Sequence, residues 1–160
     1  MEWNNHYRST GIDVDRICKD GIIDPVAYEK ADSKILFILK DTNKYRGDLR
    51  ELLHDGPRFQ MWHALARWAA GIQLGFPQFE EIDKPDVMRT AFRSCAVINL
   101  KKTTGKAQAN MSVINAYAHQ DRRLLHKQID EIKPDGIVAC GTFDQMLWLL
   151  DLDCDPDSPT

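Results

Sequence analysis

Two polar residues stand where the surrounding pattern is apolar. Asp41 follows directly on the run Ile35-Leu-Phe-Ile-Leu-Lys40, and Asn99 lies inside a second run, Cys95-Ala-Val-Ile-Asn-Leu100. A carboxylate at a strand end can orient water or stabilise developing positive charge, and a side-chain amide offers both an acceptor and a donor to an imide-like edge. Each also has an ordinary explanation: Asp41 as a turn cap, Asn99 as a core amide satisfied by its neighbours. Just beyond Asn99, the segment Lys101-Lys-Thr-Thr-Gly-Lys106 places three cations among two hydroxyls and a glycine. Lys101, Lys102, Thr103, Thr104 and Lys106 are therefore candidates for a nucleic-acid backbone, with a solvated loop as the alternative. The segment lacks the earlier Gly and the following Ser or Thr of a nucleotide phosphate loop.

Metal chemistry finds little support. The four cysteines, Cys18, Cys95, Cys140 and Cys154, form no Cys-x-x-Cys pair. Neither a zinc ribbon nor a clustered iron–sulfur site is expected, so no cofactor or metal is assigned. His119 and His126 are two helical turns apart, too far to chelate one ion alone.

Elements to position these residues are visible in the periodicity. Apolar runs near 34–40, 95–100 and 136–140 read as strands buried on both faces, expected to be neighbours in one parallel sheet. Between them, apolar positions from Ser112 to Ile132 keep helical spacing, with Ser112 as the expected cap and Pro134 past the end. A second amphipathic helix covers Phe59 to Ile72, with Trp62 and Trp68 expected in the core, as is Trp148. Helices alternating with buried strands imply an α/β fold of three layers, α/β/α, whose ligands bind beyond the carboxyl ends of the strands.

The whole chain, 160 residues with 43% hydrophobic and 28% charged content, is long enough for one domain to bury a core without staples. A net charge of −3 offers no global attraction to nucleic acid, so any such contact must be local. No apolar run approaches the ~20 residues of a membrane span, and the start carries neither the cationic nor the apolar part of a secretory signal, which points to the cytoplasm.

Taken in order, these stretches resemble the uracil-DNA glycosylase superfamily. Lys34-Ile-Leu-Phe-Ile-Leu-Lys-Asp-Thr-Asn43 is similar to the family's first motif, a strand running into a turn of the type Gly-Gln-Asp-Pro-Tyr, and Asp41 falls on its water-activating aspartate. The strand holding Asn99 is similar to the one whose asparagine reads uracil. Leu125 to Gly141 resembles the family's long helix, Lys-Pro corner and Gly-terminated strand, and Gly56-Pro-Arg-Phe59 resembles the segment whose ring stacks on the flipped base. Leu39 and Thr42 stand where the family has Gly and Pro, Asp121 stands near the position where an iron–sulfur branch has Cys, and nothing after His126 matches the closing His-Pro-Ser loop.

The resemblance implies a single uracil-DNA glycosylase-like domain over 1–160, either shortened or a piece of a longer chain. It also implies a role for each site residue. Asp41 would activate water, Asn99 would read the base and Phe59 would stack on it, with Lys40, Thr42 and Asn43 lining the pocket and the 101–106 segment on the DNA backbone. The activity implied is hydrolysis of the N-glycosidic bond of a flipped uracil or other damaged base in DNA, single- or double-stranded; a non-catalytic nucleic-acid- or nucleotide-binding relative is the alternative. Loss of the histidine donor to the departing base would make catalysis slow or silent.

Overall fold

A computed structural model describes residues 2–106 and 108–152; Cys154, Ala107 and most of the acidic tail lie outside the described residues. The chain runs α1 (Glu2–Ser9), a 3₁₀ turn (Val14–Arg16), β1 (Gly21–Ile22), α2 (Pro25–Glu29), β2 (Ile35–Leu39), α3 (Leu49–His54), α4 (Gln60–Gln73), α5 (Phe79–Ile82), α6 (Pro85–Arg93), β3 (Cys95–Asn99), α7 (Met111–Ile132), β4 (Gly136–Ala139) and α8 (Phe143–Leu149). The sheet order is β1-β3-β2-β4. β2 pairs in parallel with both β3 and β4, as the three apolar runs imply. The sequence pattern missed β1, a two-residue strand that pairs antiparallel with β3 and makes the sheet mixed.

Alternation along the central strands separates two cores. Ile35, Phe37, Leu39, Cys95 and Val97 pack against α3, α4 and α6 through Leu49, Trp62, Ala66, Ala69 and Phe92. Leu36, Ile38, Ala96, Ile98 and Leu100 pack against α2, α7 and α8 through Tyr28, Ile114, Ala118, Leu125 and Leu149. β2 and β3 are buried along their whole length because both faces are covered, whereas β4, at the edge, is only partly buried.

One helix cap and one core assignment need correction. α7 is capped by Asn110, whose Oδ1 accepts from the Ser112 and Val113 N–H groups, so Ser112 lies inside the helix. Its last residue is Ile132, and Lys133 caps it in the left-handed conformation, so Pro134 lies just past the end as the spacing implies. Trp68 is 61% exposed. Six residues after Trp62, it sits about 240° round the helix, that is about 120° away from that inward ring and beyond the edge of the buried stripe formed by Leu65, Ala66 and Ala69.

α1 is fastened to α7 through a buried carboxylate. Asp121 accepts from the Tyr7 hydroxyl and contacts His6 Nε2 at 2.8 Å. Tyr7 is fully buried, and burial together with the Asp121 charge pushes its hydroxyl pKa far above the ordinary value. Tyr7→Phe removes one donor from a carboxylate that has no access to water. The expected loss is about 1–3 kcal/mol of unfolding free energy, read from urea denaturation.

Candidate functional site

The carboxyl ends of β2, β3 and β4 open into a cleft of about 830 Å³ whose walls include Leu39, Asp41, Asn99 and Cys140. Its floor is set by register: Leu39 pairs with Asn99 across the parallel strands, so the last residue of β2 and the amide of β3 are side by side. Lys40, Thr42, Asn43, Lys106 and Phe59 line the same cleft, together with Tyr45, Met61 and Trp62. All six residues assigned to water activation and base recognition are thus gathered in one cavity. Phe59, 61% exposed, stands at the N-terminus of α4 as an aromatic face available to a guest.

Asp41 is held rather than free. Its Oδ2 receives the Lys101 ammonium at 3.1 Å, and both side chains are less than a tenth exposed. Lys101 spends its other hydrogens on the Thr103 and Thr104 carbonyls, 2.9 and 3.0 Å away, and lies over the Tyr117 ring. Gly105 presses against the Asp41 carboxylate, donating its N–H to the Thr42 carbonyl at 2.7 Å; a Cβ there would overlap the carboxylate oxygens. The glycine serves close backbone approach, not loop flexibility.

Asn99 is 1% exposed. Its backbone N–H and its Nδ2 both donate to Asp20 Oδ2, at 2.8 and 3.3 Å, and its Oδ1 has no hydrogen-bond partner. Asp20 in turn receives the Lys102 ammonium at 2.8 and 3.0 Å and Gln128 Nε2 at 2.9 Å, while Gln128 Oε1 accepts from Lys102 at 2.7 Å. Lys102 also lies over the Trp3 ring. Burial lowers the Lys102 pKa, and the neighbouring Asp20 charge opposes that shift.

The expectation for the 101–106 segment is therefore corrected. Lys101, Lys102, Thr103 and Thr104 are all buried, because the chain from Ile17 to Cys18 continues the antiparallel pairing over them; the Cys18 N–H bonds the Lys102 carbonyl at 2.8 Å. Both ammonium groups face inward to aspartates and are not presented to a backbone phosphate. Lys106 alone of the five is exposed. An open cleft of about 1070 Å³ beside the first, sharing Asp41, Lys44 and Lys106 with it, also carries Arg16 and Arg46, both exposed. Arg16, Lys44 and Arg46 were not legible in the sequence because the first belongs to the 3₁₀ turn and the other two to the loop after β2, and nothing in local spacing joins them to Lys106.

Comparison with known protein families, curated proteins and solved structures finds no match. Function must therefore be read from the cleft itself. Among the described residues no group of three His, Cys, Asp or Glu is arranged to hold a metal ion. Cys140 lines the cleft, but burial pushes its thiol up to about 11, which leaves little thiolate for nucleophilic attack near neutrality. Among the described residues no histidine lines the cleft. What the arrangement offers is a carboxylate, an amide oxygen in need of a donor, an aromatic face and, at the mouth, ammonium groups.

Gly105→Ala is expected to cost about 1–3 kcal/mol by driving a methyl group into the Asp41–Lys101 pair. Gly136→Ala, where a Cβ meets nothing within 4 Å, should be close to neutral in the same thermal unfolding series.

Proposed function

We propose that this chain is a uracil-DNA glycosylase-like protein that binds a base flipped from DNA and hydrolyses its N-glycosidic bond. The observation that carries the reading is the pairing, in one cleft, of Asp41 with an Asn99 whose buried Oδ1 lacks a partner. An unpaired buried acceptor costs about 1–3 kcal/mol, and an imide N–H supplies what it lacks. The sheet arrangement, with parallel β2, β3 and β4 and helices on both faces, is compatible with that superfamily's three-layer fold.

In this reading the base enters between Phe59 and the strand ends, its N–H donating to Asn99 Oδ1. The glycosidic bond breaks with positive charge developing on the sugar, which Asp41 stabilises while orienting the attacking water. The Lys101 ammonium compensates the burial of that carboxylate and also weakens its field. The departing base carries the bonding electron pair, and the cations near it are Lys40, Lys44 and Lys106. Long flexible ammonium groups are poorly preorganised for this task, so excision should run about 10²–10³ below that of an enzyme with a fixed donor. Arg16, Lys44, Arg46 and Lys106 supply the local positive surface for the phosphates on either side of the flipped nucleotide.

Single-turnover release of uracil from a single-stranded oligonucleotide tests this. Slow release, lowered at least ~10²-fold by Asp41→Asn, is the expected outcome. Release unaffected by that change excludes Asp41. Tight binding of the oligonucleotide with no release at all favours the non-catalytic relative.

A further inference from the structure

Asn99 can read a base only if its amide is fixed in one of two orientations. Nδ2 and Oδ1 occupy nearly the same space, and exchanging them converts an acceptor into a donor. In most pockets either orientation finds something to bond. Here the partner behind the amide is Asp20, 2% exposed at its side chain, and every hydrogen bond it makes is received. Its two oxygens take the Asn99 N–H, Asn99 Nδ2, Lys102 Nζ and Gln128 Nε2. A carboxylate saturated by donors has nothing to give an amide oxygen.

We infer that Asp20 is a positioning residue: by accepting from Asn99 Nδ2 it leaves Oδ1 as the unpaired acceptor of this cleft-lining amide and so makes the pocket selective for a base with a ring N–H at that point. A uracil-type imide presents this hydrogen; cytosine presents a bare ring nitrogen there and meets Oδ1 lone pair to lone pair. Flipping the amide to suit cytosine would set Oδ1 against the Asp20 carboxylate. Selectivity is thus built one layer behind the pocket, in residues that never touch the guest. Lys102 and Gln128 hold the second layer. The ammonium supplies the charge that lets a carboxylate remain in a buried place, and the Gln128 amide bridges Lys102 and Asp20 with one acceptor and one donor. Chain geometry explains why Asp20 can do this. β1 runs antiparallel to β3 with Gly21 opposite Val97, so the residue before Gly21 comes alongside the end of β3 where Asn99 sits.

The inference rests on the cleft being a base pocket, so its test separates the two. Equilibrium binding of the full chain to single-stranded oligonucleotides carrying one deoxyuridine, or deoxycytidine at the same place in an otherwise cytosine-free sequence, is compared for the native protein and Asp20→Asn. Nuclear magnetic resonance of the Asn99 side-chain NH₂ in the free native protein is recorded alongside. The native chain should prefer the deoxyuridine strand by at least about tenfold, since a mismatched buried donor or acceptor costs about that much in affinity. In Asp20→Asn the ratio should fall towards one, because the new amide can serve Asn99 in either orientation. A merely structural change would weaken both strands equally. The Asn99 NH₂ should exchange with water far more slowly than that of exposed Asn43.

An Asn99 NH₂ exchanging as freely as that of Asn43 overturns the inference without any variant, which covers the case in which Asp20→Asn fails to fold. An unchanged preference in folded Asp20→Asn overturns it too, while leaving the base pocket standing. A native protein that binds neither strand, yet protects the Asn99 amide, removes the base-pocket reading and the selectivity built on it; only the fixed amide survives.

Discussion

Two consecutive lysines are buried at the end of the third strand, and the site is organised by how their charges are met. Taking an ammonium group out of water costs several kcal/mol, recovered only through a close counter-ion and full hydrogen bonding. Lys101 finds Asp41, and Lys102 finds Asp20. The first aspartate lines the cleft and the second stands behind the cleft's amide. Because the two lysines are adjacent, the carboxylate proposed for chemistry and the one proposed for recognition are fixed by the same short piece of chain. Shifting that piece would displace both.

Much of this frame is legible in the residues. Short apolar runs bounded by polar turns mark β2 and β3, since a strand covered on both faces needs no alternation; β4 carries the same kind of run, but at the sheet edge it is only partly buried, short of the full burial its composition implies. Asp41 and Asn99 stand out as polar residues at the ends of such runs, and the parallel register brings them together as their positions suggest. The lysines were legible as cations but not as buried ones. Local composition makes Lys-Lys-Thr-Thr-Gly-Lys a surface loop, and only β1 and the chain before it, covering that segment from a distant part of the sequence, reverse the meaning. β1 is two residues long and carries no period of its own.

The same limit hid the second layer. Asp20, Gln128 and Lys102 come from three places in the sequence and resemble ordinary surface residues one at a time. Their roles exist only as a closed set of donors and acceptors. Trp68 shows the converse: an aromatic residue in a helical apolar pattern that the helix turns outward, leaving α4 with an exposed ring.

The most direct measurement is an experimental structure of the chain with a single-stranded oligonucleotide carrying one 2′-fluoro-deoxyuridine, whose electron-withdrawing fluorine slows the bond cleavage. The expected result is the uracil ring against Phe59, its ring N–H within hydrogen-bond distance of Asn99 Oδ1, and Asp41 facing the sugar. A uracil bound elsewhere, or an Asn99 amide turned with Oδ1 towards Asp20, would contradict it.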